Sequence, residues 1–226
     1  MIQATGPAVS SELLISTGIQ AVVFDFDGTL ADTTPSNEQA LRAALCGYGL
    51  DLDHGWYCAH VGLSIHDLLA VLPGGRDLPH EEIIRRSRTL LLASLHMLTP
   101  ITGVVALLHD ARRAGLRCAV ASGASRVLVH PGLDALNLRH QFTAVVTRED
   151  VVRGKPAPDL YLTAARRLDV LPDRCLAVDD APDGIAAARV AGMHAITISN
   201  GRPVAADDAR PTPPTDAASG RASGVA

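Results

Sequence analysis

Four short apolar runs, Ala21–Asp25, Leu116–Ser122, Thr143–Thr147 and Cys175–Asp179, constrain this chain more than any other feature, and a fifth, His194–Ser199, follows late in the sequence. Each of the four reads as a buried strand that ends in a polar or glycine-containing turn. Helical patterns lie between them. Gly103 to Ala114 carries Val104, Leu107, Leu108 and Ala111 at helical spacing and stops at Gly115, while Pro158–Leu168 and Pro182–Ala191 each begin with a proline suited to a first turn. Strands that alternate with helices predict an α/β fold with a parallel, doubly wound sheet. Aromatic residues are only 3% of the chain, so Ala, Val, Leu and Ile must fill the core, as they do in helix-covered parallel sheets.

From about Ser36 to Pro100 the rhythm breaks, because helical patterns continue without a convincing buried strand. Asn37–Cys46 and Pro79–Met97 are the clearest helices there, and Gly62, Pro73, Gly74 and Gly75 punctuate the rest. The expected organisation is a core from residues 1–35 and 101–200, a helical insertion over 36–100, and a disordered tail over 201–226, where Ala, Asp, Pro, Ser and Gly run without periodicity. The loop near Gly62 is expected to close over the site.

A net charge of -4 with no basic block excludes an evident nucleic-acid partner, and an anionic substrate would need a local cation. Cys46, Cys58, Cys118 and Cys175 are scattered without a paired spacing, which fits reduced thiols in a cytoplasmic protein. The stretch Met1–Gln20 has no basic start and contains Glu12, unlike a signal peptide, and no apolar run approaches a membrane span. A monomer or a homodimer fits equally well.

In open α/β sheets ligands bind beyond the carboxyl ends of the strands, so the residues closing each run are the informative ones. The first run closes on Asp25, with Asp27 and Thr29 just beyond, and the second on Ser122. A later loop holds Gly154-Lys155-Pro156, and the fourth run closes on Asp179 and Asp180. Magnesium takes one or two carboxylates plus other oxygens, which Asp25, Asp180 and the Asp27 carbonyl would supply. With Lys155 and the metal neutralising phosphoryl oxygens, Asp25 could attack phosphorus in line. Asp27 could reach the leaving oxygen as general acid, then serve as general base toward water.

The segments Asp25-Phe-Asp-Gly-Thr-Leu-Ala-Asp32, Ser122, Gly154-Lys-Pro-Ala-Pro-Asp159 and Val178-Asp-Asp-Ala-Pro-Asp-Gly184 together resemble the haloacid dehalogenase superfamily, in family order across about residues 20 to 200. The resemblance implies a Rossmann-like core with an α-helical cap inserted after the first strand, and magnesium as cofactor. It implies that Ser122 and Lys155 bind the transferring phosphate with the backbone N–H groups of Phe26 and Gly123, and that Asp179 steadies Lys155 or a metal-bound water. An Asp at position 27 separates the phosphoryl-transfer branches from the dehalogenases and phosphonatases. The nearest branch in style includes phosphoglycolate phosphatase, small-sugar phosphatases and β-phosphoglucomutase. Its mutase-like members carry a His where this chain has Asn37, and Lys and Arg where it has Val61 and Ile65, so hydrolysis of a small phosphorylated metabolite is expected over isomerisation. The alternatives are a sugar phosphomutase and a non-catalytic binding or regulatory protein on the same fold.

Simpler readings compete at single positions. Asp32, Asp159 and Asp183 read as helix caps or solvated turns, and Ser122 alone would be an ordinary cap. Trp56 and Tyr57 fit cap core as well as substrate platform. No pair of the nine histidines has helical metal-ligand spacing beside a third ligand, and Gly154-Lys155 lacks the flanks of a nucleotide P-loop.

Overall fold

The computed structural model describes residues 17–61 and 63–205. Gly62, the expected centre of the closing loop, lies outside the described residues, as do 1–16 and 206–226.

The central sheet has six strands in the order β5-β4-β1-β6-β7-β8. They are β1 (Ala21–Phe24), β4 (Arg117–Ala121), β5 (Ala144–Val146), β6 (Cys175–Val178), β7 (His194–Ser199) and β8 (Arg202–Ala205). Pairing is parallel from β5 through β7. The period-two geometry of the strands divides their side chains between two cores. Val22, Phe24, Cys118, Val120, Leu176 and Val178 share one cluster with Val104 and Leu108 of α5 (Thr102–Arg113) and Val129 and Leu133 of α6 (Arg126–Ala135). Ala21, Val23, Ala119, Ala121 and Ala177 share the other with Leu160, Tyr161 and Ala164 of α7 (Asp159–Leu168) and Ala187 of α8 (Pro182–Val190). Helices on both faces explain why the strands read as continuous apolar runs. The expected α/β, Rossmann-like arrangement is what forms.

Between β1 and β4 the chain makes α1 (Thr34–Cys46), α2 (His54–Ala59), α3 (Ile65–Val71) and α4 (His80–Ala93). These helices build a third apolar cluster from Leu41, Leu45, Leu52, Tyr57, Leu68, Leu69, Ile83 and Ile84. Each such side chain contributes about 1.5–3 kcal/mol on burial. The two ends of this helical stretch meet in a short antiparallel ribbon, β2 (Ala31–Asp32) against β3 (Thr99–Pro100).

One element departs from the sequence reading. The tail expected from residue 201 is corrected at its start, since Arg202–Ala205 pairs antiparallel with β7 as β8. Asn200 and Gly201, with φ of 50° and 71°, make the left-handed pair that a two-residue hairpin turn requires. Helix α6 forms around an internal proline, Pro131, a residue that interrupts a helical pattern in sequence. No helix among the described residues is long and apolar enough to cross a membrane.

Candidate active site

Sheet register brings the acidic residues together. Phe24 lies opposite Val120 of β4 and Val178 of β6, and the Asp25 N–H donates to the Val178 carbonyl at 2.9 Å. One residue further along each strand, Asp25 is level with Asp179 on one side and with Ala121, the residue before Ser122, on the other. Oxygens of Asp25, Asp179 and Asp180 all lie within 4.8 Å of one another. The Asp27 carboxylate is not among this group.

Lys155 enters from the loop ahead of α7. Its ammonium donates to Asp25 Oδ1 and to Asp179 Oδ2, both at 2.6 Å. Asp25 is 5% exposed and Asp179 1%, so this is a buried cluster rather than a surface ion pair. Asp179 Oδ2 also accepts from the Tyr161 hydroxyl at 2.5 Å, and its Oδ1 accepts from the Ala181 N–H at 3.0 Å. Asp180 is held by Thr29, whose hydroxyl donates to Oδ1 at 2.9 Å and accepts from the Asp180 N–H at 3.1 Å.

Two glycines leave room for these carboxylates. A Cβ on Gly28 would stand 2.3 Å from Asp180 Oδ2, and one on Gly184 would stand 1.9 to 2.2 Å from the Asp179 carboxylate. The glycine of the first motif therefore makes room for Asp180 across from it, and the glycine closing the last motif makes room for Asp179 of its own motif.

The electrostatics follow from crowding. Burial raises the Asp25 carboxyl well above its ordinary range, helped by Asp179, Asp27 and Asp180 and opposed by Lys155. For Lys155 burial works against the charge, but Asp25 and Asp179 outweigh it and hold the ammonium charged. Burial also raises Asp27, against hydrogen bonds from Thr33, Asn37 and Ser122, and raises Asp180 against the bond from Thr29. Several carboxylates thus face one ammonium. A site with that excess of negative charge, offering carboxylate oxygens of Asp25 and Asp180 besides those bonded to Lys155 and Thr29, fits a hard divalent cation. Asp179 fits less well, because its Oδ2 already accepts two donors.

The remaining expected residues sit beside this centre. Ser122 is fully buried at the end of β4, and its Oγ accepts from the Ala124 N–H at 3.0 Å. The N–H groups of Phe26 and Gly123 make no hydrogen bond among the described residues, while the Phe26 ring packs into the core against Gly132. Asp159 pairs with Arg153 at 2.8 Å, and Asp32 and Asp183 are exposed, which keeps all three outside the cluster. Tyr57 is buried in the helical cluster, with its hydroxyl pushed up to about 12 by burial and by Glu38 and Asp27.

Sequence reasoning missed Tyr161. It read Pro158–Leu168 only as a helical pattern that begins with a proline, yet a phenol on an otherwise aliphatic stripe needs a partner for its hydroxyl, and that was the available signal. It also left Thr29 without a task and treated Asn37 only as a departure from a family pattern.

The profile of haloacid dehalogenase-like hydrolases matches residues 22–198. A fructose-1-phosphate phosphatase of Escherichia coli (strain K12) is 35% identical over 188 residues, covering 78% of this chain and 95% of that protein. A β-phosphoglucomutase of Bacillus subtilis (strain 168) is 28% identical over 200 residues, covering 84% of this chain and 88% of that protein. Among solved structures, CbbY from Rhodobacter sphaeroides in complex with phosphate superposes with a TM-score of 0.71 at 30% identity, over 79% of this chain and 85% of that one.

Proposed function

The chain belongs to the haloacid dehalogenase-like hydrolase family, and from that premise we propose that it hydrolyses a small phosphorylated metabolite, such as a sugar phosphate, through a phosphoryl group carried on Asp25. The observation that carries the reading is the Lys155 ammonium set between Asp25 and Asp179, with Asp180 alongside. An ammonium beside a carboxylate nucleophile offsets the repulsion an incoming phosphate would otherwise meet.

Magnesium would be held by Asp25, Asp180 and the Asp27 carbonyl, and would supply neutralisation of the phosphoryl oxygens when bound. Lys155, the Ser122 hydroxyl and the N–H groups of Phe26 and Gly123 would hold those oxygens in the protein. An Asp25 oxygen forms the new bond to phosphorus as the ester oxygen leaves, and Asp27 gives that oxygen its proton. Asp27 then takes a proton from water, which attacks the aspartyl phosphate and returns Asp25 and inorganic phosphate. Burial raises Asp27, and that supports its service as the acid in the first step.

Residues 36–100 act in this proposal as a cap that excludes bulk water and selects the leaving group. A phosphomutase is the second reading, supported by the β-phosphoglucomutase likeness. Asn37, a neutral amide bonded to Asp27, and the apolar Val61 and Ile65 favour hydrolysis of a monophosphate. The test is release of inorganic phosphate from a panel of sugar phosphates, phosphoglycolate, glycerol phosphates and nucleotides, with and without magnesium. Asp25→Asn is expected to abolish release. Retained turnover in that variant eliminates the mechanism, isomer formation without phosphate release selects the mutase, and a flat assay with magnesium bound selects a non-catalytic protein.

A further inference from the structure

We infer that Tyr161 is a positioning residue for Lys155: its phenol shares Asp179 Oδ2 with the lysine ammonium, and so sets how firmly Lys155 is held back from an incoming phosphoryl oxygen. This rests on the phosphohydrolase reading above and adds to it a residue from helix α7.

Tyr161 is fully buried in the apolar cluster beneath α7, where a hydroxyl without a partner would be costly. Its oxygen lies 2.5 Å from Asp179 Oδ2, and the Lys155 nitrogen lies 2.6 Å from the same atom. A carboxylate oxygen has two lone pairs, so these two donors saturate it. Asp179 Oδ1 is tied to the Ala181 N–H, and the carboxylate fills the space that Gly184 leaves open. Asp179 is therefore held by three donors, and of the three Lys155 carries its charge on a flexible four-carbon stem.

That mobility is what phosphate binding requires. Lys155 rests between Asp25 and Asp179, and a phosphoryl oxygen must compete with both for the ammonium. Part of the Asp179 negative charge is already answered by the Tyr161 hydroxyl, which weakens that carboxylate's hold on Lys155. The tyrosine ring adds a face to the cation, with the ammonium 5.4 Å from its centroid. Removing the hydroxyl leaves Asp179 Oδ2 to Lys155 alone. The lysine is then bound more tightly to its resting partners and less available to the substrate.

Tyr161→Phe removes one oxygen and keeps the ring, so it isolates this effect. With full-length protein and magnesium, the dissociation constant of inorganic phosphate measured by calorimetry, and KM for the best substrate of the panel, are expected to rise about tenfold. In an Asp179→Asn background, the same substitution should change phosphate affinity by less than about twofold, because the oxygen it acts through has lost its charge. A role confined to packing would lower the melting temperature or the active fraction and leave phosphate affinity unchanged, and that result overturns the inference. So do effects of the two substitutions that multiply independently. A wild-type protein that releases no phosphate from any substrate sinks the phosphohydrolase reading and this inference with it, whereas an active wild type with an indifferent Tyr161→Phe sinks only the latter.

Discussion

Gly184→Ala sets local propensity against tertiary packing, and the structure decides the sign. Position 184 lies inside α8, where exchanging glycine for alanine ordinarily stabilises a helix by about 1 kcal/mol. Here the new Cβ would sit 1.9 to 2.2 Å from the Asp179 carboxylate, so the carboxylate must retreat by about 1 Å or more. Asp179 is 1% exposed and cannot retreat into water. It must stretch or lose its bonds to Lys155, Tyr161 or the Ala181 N–H. Losing one hydrogen bond to a buried charge costs about 1.5–3 kcal/mol, and the strain of the others adds to it. Net of the helix gain, we expect destabilisation of roughly 2 kcal/mol, a fall in melting temperature of about 4–8 °C for a chain of this size. Urea denaturation of the magnesium-free protein measures the first and thermal unfolding the second, and phosphate release should fall in parallel. A variant as stable as the wild type, or more stable, would refute the account of Gly184 as the space that Asp179 occupies.

Thr29→Val keeps the shape of a fully buried side chain but removes the hydroxyl that serves both Asp180 Oδ1 and the Asp180 N–H. A loss of about 1–3 kcal/mol by urea denaturation is expected, with weaker magnesium binding by calorimetry. Burial pushes the Asp150 carboxyl up, but hydrogen bonds from Arg167 and Thr147 outweigh it and hold the group at about 2, below its ordinary value of 3.8. Because the folded value is depressed, this stabilisation is complete above the unfolded value and disappears as pH falls through about 2. Asp150→Asn should therefore cost about 1–2 kcal/mol at neutral pH and only a small fraction of that near pH 2, and equal costs at both would contradict the linkage. Cys46 and Cys58 are exposed, whereas burial pushes the Cys118 and Cys175 thiols up to about 12 and about 11. A thiol-reactive dye should label the first two rapidly in native protein and the other two only after unfolding.

The sequence by itself determined the strands, the helices on each side of them and the identity of the acidic residues, because these depend on periodicity and on residues adjacent in the chain. Val22 and Phe24 alternate with Ala21 and Val23, and that order alone commits each to one face of the sheet. The turn at Asn200 and Gly201 was equally local, and its strand was lost only because the composition beyond it looked featureless. Helix α6 carries Pro131 in its interior, a cost that its packing onto the core overcomes. What only the tertiary structure decided is which groups meet. The parallel register sets Asp25 beside Asp179, 154 residues apart by number, and it takes α7 folding beneath that strand to bring the Tyr161 hydroxyl to the same oxygen as Lys155. Hydrogen bonds of this kind depend on distances of a few tenths of an ångström between distant segments, and no pattern along a chain encodes them.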